Sequence, residues 1–126
     1  MISGYEKLDV WKLSHELALK IYRLSRQFPR DERFGLTQQI RRSALAVPTN
    51  IAEGNARGHL KEFTQFCNIA KGSVAEIRYL LRFAIDYGIL EQRQYLDLSE
   101  GYDRVGRMLN RLITYLRKPE TAKNHC

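Results

Sequence analysis

Basic side chains in the last third of this 126-residue chain are its clearest candidates for a chemical role. On an α-helix, which turns by about 100° per residue, five of them project within about 60° of one another. They are Arg93, Arg104, Arg107, Arg111 and Lys118. This row predicts a track that binds nucleic-acid phosphates. The alternative is a solvent-exposed face in which Glu100 and Asp103 pair with the arginines four residues further on, at about 0.2–0.5 kcal/mol per pair.

The charge of the whole chain favours the same hypothesis. It carries 21 lysines and arginines against 14 acidic residues, a net charge of +7. Such an excess favours a polyanionic partner, although a basic surface that only maintains solubility explains it equally well. The sequence contains no base-reading module, so backbone charge and shape should dominate recognition. The predicted nucleic-acid-binding residues are Arg78, Arg82, Arg104, Arg107, Arg111, Arg117 and Lys118.

A second group of polar residues surrounds a proline. Arg42 and Glu53 share one flank of a helical segment that contains Pro48, with Asn50 close by. Catalysis by Glu53 would need a histidine or a second carboxylate nearby, and the sequence offers neither. A structural role is favoured, in which Asn50 and Glu53 bond to the backbone that Pro48 disturbs. An Arg–Glu network across subunits would also suit this motif.

The remaining candidates for catalysis, metal binding or cofactor binding have the wrong spacing. His15, His59 and His125 do not show the i, i+4 arrangement of a metal site. The stretch 54–58 resembles a phosphate loop but lacks the lysine–threonine ending and a preceding strand. We therefore predict no catalytic, cofactor-binding or metal-binding residue.

Four amphipathic segments must position these side chains. They run from about Asp9 to Phe28, Leu36 to Ala56, Lys61 to Tyr87 and Glu91 to Lys118. Residues 29–33 form a polar connection after the first segment, and no stretch alternates with the period of two that a strand requires. The sequence predicts an all-α protein, an up-down-up-down antiparallel four-helix bundle. It forms one domain at 1–118, followed by a disordered tail at 119–126.

The second segment combines a helical pattern with a helix breaker. Its apolar residues recur at helical spacing, at Leu36, Ile40, Ala44, Val47 and Ile51. Pro48 lies inside this pattern, where it removes a backbone donor at a cost of about 3 kcal/mol. A kink at Pro48 is therefore expected, and Gly54 lies near the end of the helix.

Apolar residues outside the bundle seams predict self-association. On the third segment a second stripe contains Ile69, Leu80, Phe83 and Tyr87, and on the second segment Leu45 lies opposite the core stripe. Soluble monomers rarely expose so large a patch. Gly72 suggests the close approach of a neighbouring helix. Because the two apolar faces differ, head-to-tail contact between them predicts a cyclic homo-oligomer.

Several motifs resemble those of the four-helix-bundle proteins encoded within intervening sequences of bacterial 23S rRNA genes. The resemblance covers residues 5–116. The motifs that carry it are Leu8-Asp9-Val10-Trp11, Phe28-Pro29, Phe34-Gly35-Leu36-Thr37, the stretch 39–44, Val47-Pro48, Asn50-Ile51-Ala52-Glu53-Gly54, Glu62-Phe63, Phe66, the stretch 69–73 and Glu76. The chain departs from the family pattern at Ala56, Gly58 and His59, which weakens the expected N-cap of the third helix.

The resemblance implies a homo-oligomer, a pentamer, with no established enzymatic activity. A similar fold serves as the accessory protein of diversity-generating retroelements, which works with a reverse transcriptase and nucleic acid. The leading hypothesis is thus a non-enzymatic oligomer that binds RNA, DNA or a nucleoprotein. The second is a protein–protein adaptor without nucleic-acid contact. An enzyme would require a pocket of clustered ionisable groups, which the sequence does not show.

The expected location is the cytoplasm, without membrane contact. The first residues lack the apolar segment of a signal peptide, and no run of about 18 apolar residues occurs. The two cysteines, Cys67 and Cys126, do not form a disulfide framework, and a buried free thiol at Cys67 fits a reducing compartment.

Overall fold

Four α-helices make up most of the computed structural model, which describes residues 4–119. They are α1 (Asp9–Leu24), α2 (Leu36–Ala56), α3 (Leu60–Tyr87) and α4 (Gln92–Leu116). Each helix packs against the next in the chain, and α4 closes the arrangement by packing against α1. These contacts are consistent with an up-down bundle, and no strand occurs in the described part of the chain. The predicted all-α four-helix bundle is confirmed.

The helix ends follow local backbone chemistry. α1 ends at Leu24 rather than Phe28, because Ser25–Gln27 tightens into a 3₁₀ turn before Pro29. Phe28 itself is extended, as expected for a residue before proline. Gly88 terminates α3 with φ 89°, a left-handed conformation that glycine adopts without strain.

Two further helix termini differ in how well they are capped. Glu91 caps α4 with a capping box, in which its backbone N–H donates to Gln94 Oε1 at 3.1 Å. α3 begins after His59, whose side chain makes no capping hydrogen bond. The absence of a serine at this position, noted above as a departure from the family pattern, therefore leaves α3 without a side-chain cap.

Apolar residues of all four helices form one continuous core. The α2 face predicted from periodicity is buried throughout, from Leu36 to Ile51. The largest fully buried side chains include Tyr102, Phe63, Ile21, Ile40, Ile77, Leu81 and Leu109. Burial of such side chains is the main source of the bundle's stability, at about 1.5–3 kcal/mol for each large apolar group.

Pro48 lies inside α2, which continues without a break on both sides of it. The neighbouring Asn50 donates from Nδ2 to the backbone carbonyl of Ala46 at 2.7 Å. The expected bond from Asn50 to this part of the backbone is therefore present, although it does not reach the Ala44 carbonyl that the proline leaves without its usual donor. The kink at Pro48 stays a prediction.

Gly101 and Gly72 differ in how closely another helix of the same chain approaches them. A Cβ atom on Gly101 would lie 2.7 Å from Leu17 Cδ2, so α1 and α4 touch there. Gly72 was expected at a close approach between helices, but no atom lies within 4 Å of its position for a Cβ. Gly72 lies on the solvent side of α3, so the approach of a helix from another subunit stays a prediction.

The predicted tail lies, apart from Pro119, outside the described residues. Within those residues, no helix is long and apolar enough to cross a lipid bilayer.

Candidate nucleic-acid interface

Four of the predicted nucleic-acid-binding residues present unpaired charge to solvent. Arg104, Arg111, Arg117 and Lys118 are exposed. Within residues 4–119 none of them forms an ion pair, and the expected pair between Glu100 and Arg104 is absent. Arg111 and Lys118 line a shallow groove of about 380 Å³. An exposed cation without an ion-pair partner can bind a phosphate without first breaking an ion pair.

The other three predicted residues are already paired with carboxylates. Asp103 bonds to Arg107 one turn away on α4, as predicted, and lies 3.7 Å from Nη1 of Arg78 on α3. Arg82 Nε donates to Asp86 Oδ2 at 2.9 Å, and this hydrogen bond raises the pKa of Arg82. All these side chains are largely exposed, so each pair is weak and a phosphate can compete for the arginine.

The predicted self-association residues form an exposed face on α3, with one exception. Ile69, Phe83 and Tyr87 are 53%, 40% and 68% exposed. The rings of Phe83 and Tyr87 are stacked with centroids 5.5 Å apart. On α2, Leu45 is 46% exposed. Left uncovered, these side chains keep a substantial apolar area in water.

Leu80 is the exception and corrects the prediction. It is only 7% exposed and belongs to the core of the subunit. α3 packs against both α2 and α4, so the buried arc of this helix is wide enough to include it. Tyr79 takes its place on the outer face with 65% exposure, and sequence reasoning missed it. Its spacing of four residues from Phe83 was the available signal.

The motif around Pro48 is divided between core and surface. Pro48 and Gly54 are buried, whereas Arg42 and Glu53 are exposed. Neither of these charged side chains makes a hydrogen bond or an ion pair within residues 4–119, so the expected bond from Glu53 to the backbone is absent. Arg42 lines a groove of about 510 Å³ between α2 and α3, which Gln39 crosses by donating to Glu76 Oε2 at 3.1 Å. An Arg42–Glu53 network between subunits stays a prediction.

Buried titratable groups are not arranged for catalysis. Burial raises the pKa of the Cys67 thiol to about 12 and also raises that of the Tyr102 hydroxyl. Both groups therefore hold their protons at neutral pH and are poor nucleophiles. In the part of the chain that the structure describes, no cluster of histidine, cysteine, aspartate or glutamate is suited to a metal ion.

The structure brings together one further set of basic residues, of which sequence reasoning placed only Arg30 and Arg33 in the polar connection. Arg26, Arg30, Arg33 and Arg41 line a groove beside the turn between α1 and α2. They come from two 3₁₀ turns that follow α1 and from α2, and they share no helical period that would group them in the sequence. Only the fold places their side chains side by side.

Comparison with known proteins agrees with this architecture. A crystal structure of a protein with unknown function from the S23 ribosomal protein family of Bacteroides thetaiotaomicron superposes with a TM-score of 0.78. The two sequences are 24% identical, and the alignment covers 83% of this chain and 95% of that one. At this identity the likeness concerns the fold. No curated protein matches the sequence.

The family assignment comes from the sequence itself. Residues 6–111 match the family described as 23S rRNA-intervening sequence protein. The match includes α1, α2, α3 and most of α4, and with them every motif that carried the resemblance. The chain therefore belongs to the 23S rRNA-intervening sequence protein family.

Proposed function

We propose that this protein is a non-enzymatic homo-oligomeric bundle that binds nucleic acid, or a nucleoprotein, through its basic surface. The observation that carries the proposal is the row of exposed cations on α4 that have no carboxylate partner in the described residues. Arg104 and Arg111 lie seven residues apart on α4, about 10 Å along the helix axis, and Lys118 follows just after the helix ends. Such a row can contact successive phosphates without reading bases.

Self-association supports the proposal by multiplying weak contacts. One row of three or four cations binds a polyanion weakly, whereas a ring of subunits presents the same row several times. The exposed α3 face of Ile69, Tyr79, Phe83 and Tyr87 supplies the apolar area that association requires. Covering each large side chain contributes about 1.5–3 kcal/mol. The number of five subunits follows only from the resemblance stated above.

A gel-shift titration at low salt tests nucleic-acid binding, with a structured RNA and a duplex DNA as probes. We expect both to shift, with an affinity that falls steeply as salt is added, because binding releases counterions from the nucleic acid. The double variant Arg104→Glu/Arg111→Glu should abolish most of the shift. Lys12→Glu/Lys61→Glu changes the net charge equally on exposed positions outside the row and is the matched control. If neither probe shifts at tens of micromolar wild-type protein, the proposal is wrong.

A protein–protein adaptor is the second candidate, favoured by apolar residues away from the α3 face. Leu19 on α1 and Leu96 on α4 are 40% and 55% exposed, on helices that pack together. A partner bound there, such as a reverse transcriptase or another nucleoprotein subunit, would bind without contacting the arginines of α4. Charge reversal of Arg107, Arg111 and Lys118 separates the two candidates. Retained partner binding supports the adaptor, and lost binding supports the polyanion site.

A further inference from the structure

A groove of about 520 Å³ opens beside the turn between α1 and α2. Its size falls within the range of ligand-binding clefts. The charged and aromatic side chains that line it are Arg26, Arg30, Arg33, Arg41, Phe28 and Phe34, and no carboxylate is among the lining residues. Four positive charges in one groove repel one another, and an anion placed between them removes that repulsion.

One of these arginines is held in place by the fold. Arg41 Nε donates to Ser25 Oγ at 2.7 Å, and Arg41 Nη2 donates to the carbonyl of Tyr22 at 3.1 Å. Its guanidinium also lies 4.8 Å from the centroid of the Tyr22 ring. Ser25 is only 3% exposed, so this anchor is part of the subunit interior. A guanidinium has five N–H donors, and those that remain are pre-positioned for a phosphate.

The acidic residues of the turn do not neutralise the groove. Glu32 Oε1 accepts a hydrogen bond from the backbone N–H of Leu36 at 3.2 Å, which satisfies a free donor at the start of α2. Neither Asp31 nor Glu32 lines the groove. No ion pair involves Arg26, Arg30 or Arg33 within residues 4–119. The groove therefore keeps its positive charge, in contrast to the paired arginines of α3.

An exposed aromatic ring borders the same groove. Phe34 is 81% exposed, the highest exposure among the large hydrophobic residues of the described chain. The Arg33 guanidinium lies 5.3 Å from its ring centroid, so cation and ring form one surface. Exposed aromatic rings beside arginines are the usual platform on which unpaired bases stack. In a duplex the base faces are stacked on one another and are not accessible to such a ring.

We infer that the α1–α2 groove binds an unpaired RNA or DNA strand, with the arginines on its phosphates and Phe34 stacked on a base. This inference rests on the proposed function, since it names a site within it. It adds a preference for single strands that the row on α4 does not predict. It also places the site beside the turn between α1 and α2 rather than on a helix face.

Fluorescence anisotropy with the full-length protein tests the inference. The probes are labelled U12 and dT12 single strands and a 12-base-pair duplex, at one salt concentration. Arg30→Ala/Arg33→Ala removes two charges of the groove. Lys12→Ala/Lys61→Ala removes two exposed charges outside both the groove and the row on α4 and is the matched control. The third variant is Phe34→Ala, which replaces a side chain that is almost fully exposed. Far-UV circular dichroism and thermal melting confirm that each variant is folded.

We expect the groove variant to bind both single strands at least tenfold more weakly, because two phosphate contacts are lost. Phe34→Ala should weaken single-strand binding about five- to a hundredfold, the effect of losing one stacked base, and leave duplex binding unchanged. Wild-type binding that none of the groove variants alters overturns this inference and leaves the proposed function standing. A loss in Arg30→Ala/Arg33→Ala without any effect of Phe34→Ala overturns the strand assignment in favour of a simple anion site. If the wild-type protein binds no probe, the proposed function itself fails.

Discussion

A Cβ atom placed on Gly54 would lie 2.6 Å from the Cβ of Phe66, so α2 and α3 meet at a distance that only glycine permits. The same atom would also lie 3.1 Å from Phe63 Cδ1 in the core. Gly54 is therefore required by packing between helices and not by a special backbone conformation, since its φ is negative.

Gly54→Ala should destabilise the bundle by about 1–3 kcal/mol, as overpacking of a well-filled core does. Urea unfolding followed by circular dichroism measures the effect. Gly106→Ala is the control, because a Cβ there meets only Val74 Cγ1 at an ordinary 3.9 Å. Gly106→Ala should instead raise the free energy of unfolding by about 0.5–1 kcal/mol, because alanine reduces the backbone freedom of the unfolded chain. Equal effects of the two substitutions would contradict the packing argument.

Tyr102→Phe should leave the bundle equally stable or stabilise it by about 1–2 kcal/mol. The Tyr102 ring is fully buried, and its hydroxyl has no hydrogen-bond partner among residues 4–119. A buried hydroxyl without a partner carries a desolvation cost that phenylalanine does not. Thermal and urea unfolding measure the change, with Tyr79→Phe on the exposed surface as the comparison. A loss of more than about 1 kcal/mol would show that the hydroxyl is bonded in solution.

Stability should fall with rising pH above about 9 because of Cys67. Its folded pKa of about 12 lies above the ordinary value of 9.0, so the unfolded chain releases the thiol proton first. The contribution of the protonated Cys67 thiol to the free energy of unfolding is fully present below pH 9. It is lost, at about 1.4 kcal/mol per pH unit, as pH rises towards 12. Tyr102 adds a loss of the same sign at still higher pH, because burial raises its pKa as well.

The measurement is the free energy of unfolding in urea at pH 8, 9.5 and 10.5. A Cys126→Ser background leaves Cys67 as the remaining thiol. Cys67→Ala lowers stability at every pH by removing a buried side chain, but its pH slope should be shallower. Parallel slopes for the two proteins would mean that Cys67 ionises normally in the folded state.

Phe83→Asp should convert the proposed oligomer to a monomer, because it places a charge in the middle of the exposed α3 face. Light scattering at micromolar concentration distinguishes the assembly from a 14.8 kDa subunit. Leu96→Asp alters a more exposed apolar residue on α4, outside this face, and should leave the assembly intact. The subunit should stay helical in both variants. A wild-type protein that already scatters as a monomer would refute self-association.

Periodicity predicted the helices and their buried faces well. The α2 positions Leu36, Ile40 and Ile51 are buried as their spacing indicates, since a helix in a bundle must turn one apolar face inward. Leu80 was misplaced because angular position alone does not say how many neighbours a helix has. α3 packs against both α2 and α4, and this widens its buried arc.

The α1–α2 groove lies beyond the reach of such reasoning. Arg30 and Arg33 belong to a turn with no helical period, while Arg41 entered the sequence analysis only within the stretch 39–44 that carries the family resemblance. The turn reverses the chain after Phe28 and brings these side chains to one place. Long-range juxtaposition of this kind follows from the path of the chain and leaves no local pattern in the sequence.

The hydrogen bonds from Arg41 on α2 to Ser25 and Tyr22 at the end of α1 also hold these two helices together. A ligand that binds Arg41 only while these bonds are formed stabilises the state in which α1 and α2 are joined, relative to a state in which these bonds are broken. By thermodynamic linkage, occupancy of the groove must then raise the melting temperature of the bundle and slow amide hydrogen exchange at this junction. Occupancy of the groove is therefore coupled to the local stability of the fold.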